Sequence, residues 1–339
     1  MNIAFALLLL LLKSSQCYLT DYASETPAPS SLLSKRISGG YTVKAGTAPY
    51  AASLAVTRPD GSVQNCGATI ISSEYLITAA HCLEAPNVPY NSSVKVAVGY
   101  NSETESQQIS ATVTNVYINP QNMINNVANA DYDIAIIQVA AMSGSDTSRI
   151  PIYTGQITAN QNIIATGWGV TATVNEKSST TTLATLQAAK LYVGAASDCK
   201  KFDSDFGTND GPLVCTLSKL SNGAGVCSGD AGTPAYTVDS AGNAMLVGIA
   251  SRIITTDGNF CGSTNSATMF VHIAYHIDYI MSVTGLSSGY LDGSTDLSAD
   301  ATASGVHLIG PDATTSQHEY SSTKTVSVSE TFVKYYAPL

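Results

Sequence analysis

Three short segments of the chain carry residue types that could together catalyse acyl transfer. His81 follows the apolar run Leu76–Ala80, Asp133 opens the apolar run Ile134–Ile137, and a Gly-Asp-Ala-Gly loop covers 229–232. In such chemistry an imidazole takes the proton of a hydroxyl nucleophile, a carboxylate orients the imidazole, and backbone N–H groups stabilise the oxyanion. The segments therefore indicate the frame of a serine-type hydrolase, provided that the loop supplies a hydroxyl.

The loop does not supply a hydroxyl at its centre, where Ala231 stands. A methyl group has no lone pair with which to attack a carbonyl and no proton for an imidazole to accept. Ser228 and Thr233 are nearby hydroxyls, but each is displaced from the position that must lie about 3 Å from the imidazole. Asp131 competes with Asp133 as the orienting carboxylate, although only Asp133 directly precedes the apolar strand. The pattern indicates a catalytic frame without its nucleophile.

These segments resemble motifs of the chymotrypsin/trypsin family of serine proteases. The matching stretches are Thr-Ala-Ala-His-Cys at 78–82, Asp-Ile-Ala-Ile-Ile at 133–137, Gly-Trp-Gly at 167–169, Gly-Asp-Ala-Gly-Thr-Pro at 229–234, and Ile-Ser-Gly-Gly at 37–40 after Lys35-Arg36. The resemblance covers residues 37 to about 285. It implies an all-β fold of two six-stranded antiparallel Greek-key β-barrels with a C-terminal helix. It also implies that His81 and Asp133 are triad remnants, that Ala231 holds the nucleophile position, and that Gly229 and Ala231 supply the oxyanion hole.

The resemblance further implies activation by cleavage. In the family, cleavage before an isoleucine such as Ile37 frees an amino group, which pairs with the aspartate before the nucleophile, here Asp230. The dibasic pair ending at Arg36 is a natural cleavage site in an exposed segment. We therefore expect zymogen-style activation to be retained.

The specificity pocket departs from the family pattern. Gly225 falls where trypsin-like members have a pocket aspartate, so no preference for Lys or Arg is expected. Ser251, Arg252 and Ile253 replace Ser-Trp-Gly, the strand against which a substrate backbone pairs, and Thr268 lies near a second pocket glycine. We expect a small or closed pocket. Neutral drift in an unused site and a repurposed binding surface explain these changes equally well.

The chain has seven cysteines. Cys17 leaves with the predicted leader or remains as an odd thiol. The other six are Cys66, Cys82, Cys199, Cys215, Cys227 and Cys261. Six cysteines in a secreted chain indicate three disulfides, for which the sequence alone allows fifteen pairings. The family resemblance implies the pairs Cys66–Cys82, Cys199–Cys215 and Cys227–Cys261.

Four regions follow from the composition along the chain. Residues 1–17 contain an apolar run too short to span a bilayer and are interpreted as a signal peptide rather than a buried or amphipathic helix. A propeptide at 18–36, a protease-like domain at 37–285 and a Ser/Thr-rich disordered tail at 286–339 complete the chain. The tail composition is also compatible with an O-glycosylated or wall-associated stalk.

Within the domain, apolar runs of strand length alternate with turns rich in Gly, Asn, Ser and Asp, which is typical of an all-β fold. One segment has helical periodicity: Ile273, Ile277 and Ile280 recur at three- and four-residue spacing, and Gly285 is a stop signal. The spacing predicts a helix over 271–283.

Charge and composition exclude several partners. A net charge of −10 and a pI near 4.8 disfavour nucleic acid, whose phosphates require clustered Lys and Arg. The tail lacks the terminal apolar stretch of a lipid-anchor signal, so we expect no membrane attachment. The histidines match no common metal-ligand pattern, so neither a metal nor a cofactor is expected. Asn91 begins an Asn-Ser-Ser glycosylation acceptor.

The sequence therefore predicts a secreted, monomeric protease homologue without proteolytic activity that binds a protein partner. As an inhibitor, decoy or regulator it would resemble, in outline, secreted oomycete proteins that inhibit plant glucanases. Two other functions stay open. The chain could be an active endopeptidase through bypassed chemistry, or a structural scaffold held at a cell surface by its Ser/Thr-rich tail.

Overall fold

The computed structural model describes residues 37, 39–44, 46–83, 94–98, 109–124, 127–142, 148–169, 185–259, 261–295 and 335–338. The predicted signal peptide and propeptide, with Cys17 and Arg36, lie outside the described residues, as does Asn91. The strands are β1 Tyr41–Thr42, β2 Ala51–Thr57, β3 Val63–Ile70, β4 Tyr75–Thr78, β5 Val94–Val98, β6 Ile109–Ala111, β7 Val113–Ile118, β8 Met123–Ile124, β9 Val127–Ala128, β10 Ala135–Val139, β11 Asn162–Gly167, β12 Gln187–Tyr192, β13 Leu213–Leu217, β14 Pro234–Val238, β15 Ala244–Thr255, β16 Ser266–His272 and β17 Tyr335–Pro338.

The first barrel is an antiparallel sheet in the order β6-β5-β2-β3-β4-β10-β7. Only Thr112 separates β6 from β7, so these two form one interrupted strand that pairs with β5 at one end and β10 at the other. The sheet thereby closes on itself as six strands. Strand β5 returns beside β2 after the consecutive strands β2, β3 and β4, which is the Greek-key order.

The second barrel follows the order β12-β11-β14-β15-β16-β13, with the short β1 added to β12. A bridge between Val193 and Thr216 joins the end of β12 to β13 and closes the ring of six strands. The six strands of each barrel can be numbered 1 to 6 in chain order: β2, β3, β4, β5, β6–β7 and β10 in the first barrel, and β11 to β16 in the second. Around both barrels the neighbouring strands then follow the same circular order, 1-2-3-6-5-4. The predicted fold of two six-stranded Greek-key barrels is confirmed.

Alternating burial explains why these segments are strands. In β5 the side chains of Val94, Val96 and Val98 are buried and Lys95 is exposed, as expected when successive side chains point to opposite faces. Strand β16 is buried at every position because it lies between β13 and β15 and is covered on both faces. Two large clusters of buried apolar side chains result, and they include residues from both barrels.

The described α-helices are α1 Ala196–Cys199, α2 Ile277–Thr284 and α3 Ser288–Asp292, and short 3₁₀ helices lie at Ala80–Cys82, Ala130–Tyr132 and Ser218–Ser221. The helix predicted over 271–283 is corrected to α2. Val271 and His272 instead pair with Leu213 and Gly248 in the sheet, and these tertiary pairings outweigh the local helical period. Gly285 ends α2 with φ 71°, as predicted from its position.

The predicted start of the disordered tail at residue 286 needs correction, whereas residues 296–334 and 339 of that tail lie outside the described residues. Ser287 caps α3 by accepting a hydrogen bond from the Tyr290 N–H, and Leu291 is buried. The Ile152 N–H donates to the Leu291 carbonyl at 2.8 Å. The folded body therefore extends past the predicted boundary at 285. Strand β17, far along the predicted tail, pairs with β15.

Within the described ranges, no helix is long and apolar enough to cross a membrane.

Candidate functional site

The two strands β4 and β10 bring His81 and Asp133 together. They are antiparallel neighbours in which Thr78 pairs with Ala135. The end of β4 therefore lies beside the start of β10. His81 occupies the 3₁₀ turn after β4, and Asp133 follows the 3₁₀ turn before β10.

Asp133 orients His81 through two hydrogen bonds. The His81 Nδ1 lies 2.8 Å from Asp133 Oδ2, and the His81 backbone N–H donates to Oδ1 at 2.9 Å. Ser251 Oγ also donates to Oδ2, at 2.6 Å. In a neutral imidazole, this contact places the proton on Nδ1 and the lone pair on Nε2, the form that accepts a proton in general-base catalysis.

Electrostatics favour the ionised form of Asp133. Burial by itself raises the pKa of this carboxyl, but the charge of His81 and the hydrogen bonds from His81 and Ser251 outweigh burial and lower the pKa to about 2. Asp131, the competing carboxylate, is half-exposed, and burial is the main cause of its raised pKa. Asp133 is therefore the carboxylate that orients His81.

The loop that would carry a nucleophile is hydrogen-bonded to strands β3 and β15. The Gly67 N–H donates to the Ala231 carbonyl at 2.6 Å, and the Gly232 N–H donates to the Ala250 carbonyl at 2.8 Å. Ala231 is fully buried. Of the alternative hydroxyls, Thr233 is buried and donates to the Asp230 carbonyl at 2.6 Å, whereas Ser228 is exposed. The centre of this loop thus carries a buried methyl group.

The resemblance assigns the backbone N–H groups of Gly229 and Ala231 to the oxyanion hole. Within the described part of the chain, neither the Gly229 N–H nor the Ala231 N–H donates a hydrogen bond. Gly229 has φ 92°, a left-handed conformation that favours glycine. That these two N–H groups bind an oxyanion stays a prediction.

Asp230 is held by backbone donors. Its Oδ1 accepts from the Gly169 N–H at 2.6 Å and its Oδ2 accepts from the Cys227 N–H at 2.8 Å. A side chain at either Gly167 or Gly169 would collide with this carboxylate, which explains the Gly-Trp-Gly sequence. Burial raises the pKa of Asp230 to about 7, because the two backbone bonds compensate only part of the lost hydration.

Ile37 is fully buried but still carries a peptide nitrogen, because the chain is continuous from Arg36. A peptide nitrogen has no charge to offer a carboxylate. The pairing of a freed Ile37 amino group with Asp230 therefore stays a prediction about the cleaved chain.

The predicted pocket residues Gly225 and Thr268 lie together. A Cβ added to Gly225 would lie 3.5 Å from Ser218 Oγ and 3.8 Å from Thr268 Oγ1. Ser218 Oγ lies 2.8 Å from Ser266 Oγ, and all three hydroxyl-bearing residues are buried. The side chains beside Gly225 are thus buried, polar and uncharged in the described residues, and the small or closed specificity pocket stays a prediction. Ser218 and Ser266 were missed because no motif marks them; only the pairing of β13 with β16 places them there.

Arg252, predicted to recharge the substrate cleft, forms an ion pair with Asp203. The Arg252 guanidinium donates to Asp203 Oδ2 at 2.6 Å, and both side chains are largely buried. Ile253 is buried. Asp203, which follows α1, was also missed, because it is distant in sequence and no spacing pattern links it to the cleft.

Two of the three disulfides implied by the resemblance are formed. Cys66–Cys82 and Cys199–Cys215 are bonded, with Cα–Cα distances of 6.4 and 6.3 Å. The expected Cys227–Cys261 bond is corrected, because the structure does not join these two sulfurs. Cys227 is fully buried beside the Asp230 loop, whereas Cys261 is half-exposed on the β15–β16 connection.

No group of three or more potential metal ligands occurs among the residues that the structure describes. His272 Nδ1 lies 2.9 Å from the Gly211 carbonyl oxygen. His276 stacks edge-on against Tyr132, and burial is the main cause of the lowered pKa of each histidine. These are buried structural histidines.

The sequence matches the family model described as Trypsin over residues 37–280. The chain belongs to the trypsin family. Three relatives show how far the similarity to this family extends. Transmembrane protease serine 11C of Mus musculus is 29% identical over 255 residues, which cover 74% of this chain and 54% of that protein. Trypsin-1 of Astacus astacus is 28% identical over 255 residues, with 72% and 98% covered.

Serine protease SP24D of Anopheles gambiae is 31% identical over 232 residues, which cover 68% of this chain and 74% of that protein. The chain thus spans about half the length of the mouse protein and nearly all of the Astacus protein. The trypsin-family domain accounts for both folded barrels of this chain.

Proposed function

We propose that this trypsin-family chain is a secreted protein without proteolytic activity that acts by binding a protein partner, as an inhibitor, decoy or regulator. The observation that carries the proposal is the methyl group of Ala231 at the nucleophile position of a site in which Asp133 holds His81. Proton transfer without a nucleophile forms no acyl-enzyme. Loss of a triad nucleophile lowers rates by about 10⁶.

The other hydroxyls of the loop support the same conclusion. Thr233 is buried with its hydroxyl directed to a backbone carbonyl, and Ser228 is an exposed side chain three positions from Ala231. Neither replaces a serine at the centre of the loop. The alternative of an active endopeptidase would therefore require chemistry from outside these residues.

Secretion is supported by the disulfides and by the apolar start of the chain. Cys66–Cys82 and Cys199–Cys215 are structural disulfides of a kind that persists in oxidising compartments. Residues 3–12 have the apolar character of a signal peptide. Protein rather than nucleic acid is the proposed partner, because the chain is acidic.

The test compares the natural protein with Ala231→Ser, each cleaved after Arg36, on casein and on small ester substrates. We expect no turnover by the natural protein above a His81→Ala control. If Ala231→Ser turns over the substrates and Ala231→Ser/His81→Ala does not, the missing hydroxyl is the only group that the natural site lacks for catalysis. Turnover by the natural protein that His81→Ala abolishes would refute the proposal and favour the active-enzyme alternative.

Partner binding is tested separately by cross-linking the natural protein in extracellular fluid and identifying the attached protein. The proposal expects one protein whose cross-links map to the cleft and whose own activity changes on titration with the purified chain. Cross-links spread over the whole surface, with no change in the activity of any attached protein, would contradict a regulatory role.

A further inference from the structure

The outer edge of β15 changes partner along its length. From Ala244 to Ile249 this edge pairs with β14, and at Ala250 it exchanges hydrogen bonds with Gly232 and Thr233 of the preceding loop. From Gly248 onward the opposite edge pairs with β16 as far as Thr255. Without another strand, the backbone of 252–255 would therefore present unpaired N–H and C=O groups, which is the usual site at which a further strand adds to a sheet.

Strand β17 fills this gap. It runs antiparallel to β15, with Arg252 opposite Pro338 and Thr255 opposite Tyr335. Proline has no N–H to donate, so within a sheet it is found on edge strands, where one side of the strand is unpaired. Tyrosine is a good strand former. The sequence of β17 therefore suits the terminal strand of this sheet.

The paired edge borders the candidate site. Ser251, the residue before Arg252, donates to Asp133, the carboxylate that orients His81. Because the pairing is antiparallel, the Pro338 end of β17 lies nearer to this carboxylate than the Tyr335 end does. A peptide from another protein that added a strand to this edge would have to take the place of β17.

We propose that Tyr335–Pro338 is an intramolecular strand ligand that closes the β15 edge to extended peptides of other proteins. A tethered segment is present at a high effective concentration, so a short strand can hold an edge that the same free peptide would bind weakly. Partners of the cleft must displace it. This inference goes beyond the proposed function, because it concerns which segment pairs with β15 when no partner is bound.

Hydrogen exchange followed by mass spectrometry tests the inference without a partner or an activity. The full chain is compared with a chain ending at Lys334. We expect backbone amides within 252–255 to exchange at least about tenfold faster in the shorter chain. A synthetic peptide with the sequence of 331–339 should restore the protection in a saturable manner, and a scrambled peptide should not.

A second pair of variants keeps the full length. Successive amides of a strand point to opposite sides, so Tyr335→Pro/Tyr336→Pro removes at least one donor directed at β15. Its matched control, Tyr335→Val/Tyr336→Val, keeps both N–H groups and should retain the protection. Equal exchange at 252–255 in the full chain, the shorter chain and the proline variant would overturn the inference and leave the proposed function untouched.

Discussion

Two buried aspartates of the site differ in their partners, and their pKa values move in opposite directions. Asp133 lies against the His81 ring and the Ser251 hydroxyl, and its pKa falls to about 2. Asp230 receives only neutral backbone N–H groups, and its pKa rises to about 7. Burial disfavours both anions, so the charged partner decides the sign.

The raised pKa of Asp230 makes the stability of the uncleaved chain depend on pH. Unfolded, this carboxyl has a pKa of about 3.9. Between about pH 4 and pH 7 the folded state therefore binds a proton that the unfolded state has lost, so Asp230 makes stability fall as pH rises, by about 1.4 kcal/mol per pH unit. Chemical denaturation of the uncleaved chain and of Asp230→Asn across this range measures the difference between their slopes.

Comparing slopes is necessary because the buried histidines act in the opposite direction. Burial lowers the pKa of His276 to about 4 and also lowers that of His272, so each makes stability rise with pH over part of the same range. Asp239→Asn is the control, because hydrogen bonds from Asn243 lower the pKa of Asp239, so this carboxyl titrates below the range. Parallel pH profiles for the uncleaved chain and Asp230→Asn would show that Asp230 is already ionised when folded.

Motif spacing predicted the residues of the site that act through local sequence. His81 and Asp133 are each identified by a short apolar segment beside them, and the structure places them in contact. Ser218 and Ser266 meet beside Thr268, and Asp203 meets Arg252, only through strand pairing and loop packing, which a single sequence does not record. The residues around Gly225 were therefore predictable only where they belong to a family motif.

At the scale of elements, the contact between β3 and the Ala231 loop leaves no room for a side chain at Gly67. A Cβ on Gly67 would collide with the Thr233 side chain. The threonine fits only because β3 has no side chain at this position. The Thr233 hydroxyl also donates a hydrogen bond to the Asp230 carbonyl.

Gly67→Ala is therefore expected to destabilise the protein by about 1–3 kcal/mol through overpacking. Thr233→Gly should recover part of this loss when combined with Gly67→Ala, because it removes the colliding methyl group. Urea denaturation of the two single variants and the double variant measures the coupling. Additive effects would mean that the two positions do not press on each other.

Element boundaries were the least predictable part of the fold. The apolar period over 271–283 has the spacing of a helix, yet its first residues complete β16 because two neighbouring strands offer hydrogen bonds there. The tail after 285 has a composition typical of disorder, yet Leu291 is buried and β17 is paired. In both cases long-range contacts outweigh local preference.

At the scale of the molecule, each barrel has the same circular strand order and its own disulfide. Cys66–Cys82 links β3 to the turn after β4 in the first barrel, and Cys199–Cys215 links α1 to β13 in the second. Both connect residues 16 positions apart. A cross-link of this span restricts the unfolded chain by about 3 kcal/mol in the chain-entropy view.

Replacing Cys199 and Cys215 together by Ser should thus lower the free energy of unfolding by about 2–4 kcal/mol, as measured in guanidinium chloride. Cys261→Ser is the matched control and should change it by less than about 1 kcal/mol, because its sulfur is half-exposed and is not bonded to Cys227. Alkylation of the native protein without reductant should label Cys261. If Cys261 is labelled only after reduction, it is part of a disulfide and the control loses its basis.

Strand β17 also changes what a binding constant for this protein would mean. Any ligand of the β15 edge binds only the fraction of chains in which Tyr335–Pro338 has left it. The apparent dissociation constant is then the intrinsic constant divided by that fraction, so a one-per-cent open population weakens measured affinity about a hundredfold. Affinity for such a ligand is set jointly by the cleft and by a segment that the ligand never touches.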